Sequence, residues 1–271
     1  RHLGLVPTAE KTLQLDFRNR LASVIESNFN IDYIETLAKR HRSIPNVPPT
    51  LFPSRKITPR VAIGVARDEA FNFYYQDNLD LLEAWGAELI PISPIHDTKL
   101  PAHIGGLYFG GGFPEYFALQ LSQNQSMMNE IKAIAGNGMP LYAECGGLMY
   151  LSQGITDFHK TRYPMAGLIP GETVMTKERL SLGYAEVEAR FPNFLMDVSE
   201  RARGHEFHYS RWDIELPTGQ SPYKVINKGS RLSGYIQGNT LASYIHLHFA
   251  SNNKIAPRFV ESCQGDRTIG N

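Results

Sequence analysis

From residue 60 onward the sequence alternates short β-branched runs with helix-spaced stretches, and this alternation narrows the fold more than any other feature. "RVAIGVAR" (60–67), "AELIPIS" (87–93), "HIGGLYFGGG" (103–112) and "MPLYAE" (139–144) read as strands. Between them, "YYQDNLDLLEAWGA" (74–87) and "PEYFALQLSQNQSMMNEIKAIAGNG" (114–138) have helical spacing and close on glycines. Strands joined through helices predict an α/β fold with a mostly parallel sheet. Ligands in such sheets collect at the carboxyl ends of strands, where both glycine clusters fall. The last third carries more strand signals, in "SLGYAEVEAR" (181–190), "GHEFHYSRW" (204–212) and "SGYIQGNTLASYIHLHF" (233–249), with a turn at Gly238-Asn239. A final helix is expected at about 252–264.

Ahead of this core, residues 9–43 read as helix. Leu13, Phe17, Leu21, Val24 and Ile25 recur at three- and four-residue steps. "NIDYIETLAKRH" offers Asp32 as an N-cap with Glu35 three residues on. Then Pro45, Pro48, Pro49, Pro53 and Pro59 crowd into fifteen residues, which neither a helix nor a central strand tolerates. The expected organisation is a helical tail with a Pro-rich linker at 1–56 and one domain at 57–271. The chain opens on Arg1 rather than Met, which points to a piece of something longer.

Charge excludes several partners. Lys+Arg and Asp+Glu balance at 27 each, so no field draws the chain to nucleic acid or an acidic membrane. No apolar run approaches the roughly 20 residues of a spanning helix. Two cysteines, Cys145 and Cys263, make no disulfide framework, and a soluble cytoplasmic protein is expected.

One of those cysteines sits in "PLYAECGGLMYL" (140–151), at the junction of a strand and a helix. Small residues two positions to either side, Ala143 and Gly147, match a nucleophile elbow, whose strained turn brings strand and helix nearly into contact. The N–H of the next residue, Gly146, then points where an oxyanion would form. Met149 and Leu151 are better candidates for the core. A thiol nucleophile needs a base, and nine histidines are available. "SYIHLHF" sets His246 and His248 on one face of a strand, and "GHEFHYS" does the same for Glu206 and His208. Two histidines and a carboxylate would also suit a metal. "LYFGGGFPEYF" (107–117) leads a strand into three glycines whose N–H groups can approach a bound oxygen. No Gly-Lys-Ser/Thr occurs anywhere, so there is no Walker A loop.

"YFGGGFPE", "YAECGGLMYL", "GHEFHYS" and "SYIHLHF", in this order and spacing, resemble the cobalamin-pathway branch of triad-type (class I) glutamine amidotransferases. Within that branch the similarity is to the C-terminal glutaminase domains of cobyrinate a,c-diamide synthases, over roughly residues 57–265. "GHEFH" separates them from the cobyric acid synthases, which tend to carry a Gly-Tyr-Glu-Ile-His version. The opening "RHLGLVPTAE" resembles the end of the same enzymes' N-terminal synthetase domain. The resemblance implies a flavodoxin-like fold and a ligase that hydrolyses glutamine at a cysteine. The ammonia goes to the synthetase domain, where ATP and Mg²⁺ activate the a and c acetates of a cobalt corrinoid. It implies Cys145 as nucleophile, His246 as base with His248 as an alternative base or orienting residue, and Gly111, Gly112 and Gly146 as the oxyanion hole. Glu206 and His208 would be supporting residues. ATP and Mg²⁺ are expected only with the synthetase domain, and neither cofactor nor metal in this chain. The implied partners are glutamine, that domain and, through it, the corrinoid. Many class I enzymes place a Glu two residues after the histidine. Here that position is His248, which leaves the third triad member open. The other readings are amidation of a nickel sirohydrochlorin, a cysteine hydrolase on the same core, a metal hydrolase built on His246, His248 and Glu206 or His208, and an inactive binding module.

Overall fold

The computed structural model describes residues 14–40, 50–55, 57–177, 181–214, 218–227 and 229–265. The chain divides into two compact units, residues 1–50 and 51–271. In the first, helices Leu15–Asn28 and Ile31–Lys39 form within the stretch whose periodicity is helical. Asn30, and not Asp32, caps the second helix, its side chain accepting from Tyr33 N at 2.9 Å. Asn30 stands where its oxygen reaches the orphan N–H three residues on, while Asp32 falls in the first turn, where its charge suits the helix dipole. The opening "RHLGLVPTAE", residues 41–43 of the expected helix and the first prolines of the linker lie outside the described residues.

The second unit is built on a six-stranded sheet. Its order is Tyr235–Gln237, Thr240–Ser243, Leu141–Glu144, Ile104–Phe109, Val61–Ala66 and Ala87–Ile92. Every neighbouring pair is parallel except the first, which is antiparallel. Both faces of the sheet are covered, which is why its strands read as unbroken apolar runs rather than alternating ones. Ala62, Ala66, Leu107, Phe109, Leu141 and Ala143 point into one core. Ile63, Val65, Tyr108, Tyr142 and Leu241 point into the other. Placing Tyr108 and Tyr142 on one face matters for the site, because both hydroxyls reach the same carboxylate.

A five-stranded antiparallel sheet packs beside it, in the order Arg231–Ser233, Tyr223–Val225, Ser181–Ala189, Arg201–His208, His246–Leu247. The last pairing sets His205 opposite His246 and Gly204 opposite Leu247. A Cβ at Gly204 would run into the His246 carbonyl, so only glycine lets the two strands approach this closely.

Three further expectations change. The long helix at 114–138 is broken into a 3₁₀ turn (Pro114–Phe117) and helices Ala118–Gln123 and Gln125–Gly136. Asn124 makes the break: its side chain accepts from Met127 N, capping the third piece, and donates to Pro94 and Asp97 carbonyls at 2.8 Å. The expected strand at 204–212 is two strands that change sheets around Tyr209. Ser210–Asp213 joins a four-stranded sheet with Gly154–Thr156, Arg162–Pro164 and Glu172–Met175, which the alternation did not foretell. "SYIHLHF" ends one strand at Ser243 and then contributes a second of only His246–Leu247. Its two histidines therefore do not share a strand face.

Candidate active site

Cys145 ends the Leu141–Glu144 strand and precedes the Gly146–Leu151 helix, with φ 48° and ψ −101°. A non-glycine residue held in a sparsely populated region costs about 1–3 kcal/mol and persists only where its surroundings enforce it. Here they do. Cys145 N donates to Ser243 O at 2.8 Å, its carbonyl accepts from Met149 N at 3.0 Å, and Gly147 N donates to Gly110 O at 3.0 Å. A Cβ on Gly147 would lie 2.5 Å from Phe109 O, so the strand–helix contact that an elbow requires is present and needs that glycine. The thiol is buried, 6% exposed, with Sγ 3.8 Å from Phe207 O.

The glycine loop closes the other side. Gly111 and Gly112 pair with Phe73 and Phe71 in a two-stranded ribbon. A Cβ on Gly146 would stand 3.1 Å from Gly112 N, which puts the backbone of Gly146 and Gly112 side by side next to the thiol. A Cβ on Gly111 would collide with the His246 ring.

His246 is 3% exposed and enclosed by groups of opposite effect. Burial opposes its charge, but a Cys145 thiolate and the Glu144 carboxylate outweigh that and raise its pKa from 6.5 to about 10. Its Nδ1 lies 3.7 Å from Glu144 Oε2 and has no hydrogen-bond partner. The Phe73 ring meets it edge-on at 5.2 Å, and His205 stacks on it at 4.6 Å with planes 9° apart. His205 was not singled out in the sequence, although "GHEFH" contains it. Burial, followed by the charge of His246, lowers its pKa to about 4, and its Nδ1 is 2.6 Å from Tyr75 Oη.

The other expected residues lie elsewhere. His248 directs Nε2 to Asp77 Oδ2 at 3.3 Å and packs on the Tyr75 ring. Glu206 is buried and accepts from Ser181 and Arg231, and although burial raises its carboxyl, those donors hold it below its ordinary range. His208 stacks on Tyr244 at 3.9 Å, and burial lowers its pKa. Glu206, His208, Ser181, Arg231 and Tyr244 line a cavity of about 320 Å³. Among the described residues no His, Cys, Asp or Glu side chains are grouped to hold a metal ion, so the four residues of the metal reading do not converge. No helix among the described residues is long and apolar enough to cross a membrane.

Cysteine, imidazole and glycine amides thus meet at the carboxyl ends of parallel strands, an arrangement suited to acyl transfer through a thioester. Comparison with known proteins gives the chain a family. A cobyrinate a,c-diamide synthase of Dehalococcoides mccartyi is 45% identical over 98% of this chain and 58% of its own length. That of Caldanaerobacter subterraneus subsp. tengcongensis is 43% identical over 97% and 58%. The chain therefore spans somewhat under three-fifths of these relatives. PurLQS from Thermotoga maritima superposes with a TM-score of 0.54 at 14% identity, over 77% of this chain and 99% of that one. A second solved structure, a glutamine amidotransferase, gives 0.53 at 16% identity, over 74% and 98%. Those structures bear on the fold alone. The model of the CobB/CobQ-like glutamine amidotransferase domain matches residues 62–254, and the chain belongs to that family.

Proposed function

We propose that this chain is the glutaminase part of a cytoplasmic, ATP-dependent amidoligase that amidates the a and c acetate side chains of cobyrinate. The observation that carries it is the strained, buried Cys145 held beside an imidazole of raised basicity. His246 takes the proton of the Cys145 thiol, and Sγ attacks the side-chain carbonyl carbon of glutamine. The developing oxyanion is met by the amides of Gly146 and of the Gly111–Gly112 loop. His246 passes a proton to the departing nitrogen, ammonia leaves, and a γ-glutamyl thioester remains. Water, deprotonated by His246, cleaves the thioester to glutamate and restores the thiol.

We assign ATP and Mg²⁺ to a partner domain rather than to this chain. It has no Gly-Lys-Ser/Thr loop and, among the described residues, no cluster of metal-ligating side chains. Carboxylate activation is therefore assigned to an N-terminal synthetase domain, the partner to which ammonia is delivered and which binds the corrinoid. The names of the relatives favour cobyrinate over another tetrapyrrole.

The test is mass spectrometry after treatment with a glutamine-like chloroketone. Cys145 should be alkylated and glutamine should protect it. Cys263 should stay unlabelled, since burial pushes its thiol up to about 12. Equal labelling of both cysteines would refute the reading.

A further inference from the structure

Position 248, where the resemblance to class I enzymes leads one to expect the triad carboxylate, is a histidine here, and its Nε2 is turned to Asp77, which is 68% exposed. Something else must orient the base. We infer that Glu144, the residue immediately before the nucleophile, is the carboxylate that positions His246, so that one dipeptide supplies two members of the triad. The inference rests on the glutaminase reading above.

Glu144 is 1% exposed and held by three donors. Tyr108 Oη donates to Oε2 at 2.9 Å, while Tyr142 Oη and Leu247 N donate to Oε1 at 2.6 and 2.9 Å. The third donor is the backbone of the residue after His246, so the carboxylate is tied to the imidazole's own strand. Oε2 faces His246 Nδ1 across 3.7 Å, and that nitrogen is buried without a hydrogen bond. Each group therefore faces what the other lacks: a buried N–H needs an acceptor, and a buried carboxylate needs a counter-charge. The gap exceeds a hydrogen bond, but catalytic hydrogen bonds are often long without substrate and tighten when it binds.

Other carboxylates near the histidines are committed. Glu206 is taken by Arg231 and Ser181, and Asp77 by His248. Local geometry explains how adjacent residues serve two partners. Along the strand Glu144 shares the face of Tyr142, with Leu241 and Tyr108 beside it, while the turned backbone of Cys145 sends the thiol into the opposite core. A carboxylate on Nδ1 fixes the neutral imidazole as the Nδ1–H tautomer and leaves Nε2 for the thiol.

The alternative is that Glu144 only anchors Tyr108 and Tyr142, and the readouts are chosen to separate the two. Glu144→Gln keeps size and can still accept from Leu247 N. It should lower kcat for glutamine hydrolysis by about 10²- to 10⁴-fold with little change in KM. Alkylation of Cys145 should slow in parallel, and the titration of His246 followed by NMR should move to lower pH. The charged and titratable groups facing that ring are Cys145, Glu144 and His205, with Tyr75, Glu206 and His208 behind them. Glu144→Asp, which keeps the charge, should recover part of the rate. Wild-type kcat, alkylation and titration in Glu144→Gln would overturn the inference while leaving the glutaminase reading intact. Failure to label Cys145 in the unaltered chain would remove both. Should Glu144→Gln not fold, nitrogen-15 NMR of the unaltered chain above pH 10, where His246 becomes neutral, decides: the ring should carry its proton on Nδ1, and an Nε2–H tautomer would overturn the assignment.

Discussion

His205 lies flat on His246, ring centroids 4.6 Å apart and planes 9° apart, because the antiparallel pairing of their strands sets the two residues directly opposite. The two imidazoles are driven in opposite directions. Burial and the neighbouring charge bring His205 down to about 4, so it stays neutral and adds no competing positive charge. Against the same burial, the Cys145 and Glu144 charges take His246 up to about 10.

That divergence predicts a pH profile of stability. A histidine whose folded pKa is depressed stabilises fully above its unfolded value near 6.5, and loses that contribution as pH falls toward 4. One whose folded pKa is raised stabilises fully below 6.5, and loses it as pH rises toward 10. The contributions of this pair are therefore jointly greatest near pH 6.5. Denaturant midpoints measured from pH 4 to 10 should show His205→Phe flattening the acid limb and His246→Phe flattening the alkaline one. An acid limb unchanged by His205→Phe would contradict the assignment.

The two histidines of "SYIHLHF" should separate in activity. His246→Ala should lose about 10²- to 10⁴-fold in glutamine hydrolysis, the range for a general base. His248→Ala should lose less than about tenfold, because its ring packs on Tyr75 and meets a mostly exposed Asp77, a pair that contributes little. Steady-state kinetics of both variants decides it. A larger loss at His248 would move the base two residues along the chain.

Gly111→Ala tests the glycine loop. The added methyl collides with the His246 ring and must displace either the base or the loop. The glutaminase rate should fall at least tenfold while the fold, read by circular dichroism, is retained. Gly136→Ala supplies the control, since a Cβ there meets nothing within 4 Å. Equal activity of the two variants would detach the loop from the site.

The central sheet was legible because it is buried on both faces and its strands are short apolar runs between helical periods. Cys145 was legible for a related reason: an elbow needs small residues at fixed offsets, and Gly147, 2.5 Å from Phe109 O in the geometry of its missing Cβ, leaves a mark in the sequence. His205 and Glu144 left no such mark. Each acts through a partner more than forty residues away, brought close by strand pairing, and local spacing carries no record of that. Asn124 is an intermediate case. Its residue type signals a cap, but the helical period on both sides runs through it, and the carbonyls of Pro94 and Asp97 decide the break.

Glutamine hydrolysis should also proceed in this chain without ATP. The proposed nucleophile, base and oxyanion amides all come from residues 111–246, within the matched domain, and the sequence holds no Gly-Lys-Ser/Thr loop. The purified chain should release glutamate and ammonia from glutamine slowly, show no ATPase activity and amidate no corrinoid. Helices Leu15–Asn28 and Ile31–Lys39 expose Leu15, Phe17, Leu21, Val24, Ile34 and Leu37, and two short helices are marginal in water alone. A synthetase domain that uses them as part of its own packing should slow their backbone hydrogen exchange when added. With that domain, cobyrinate, ATP and Mg²⁺ present, the a,c-diamide should form and glutamine consumption should match it. Conversion of cobyrinate to its diamide by this chain alone would show that a nucleotide site lies within these 271 residues.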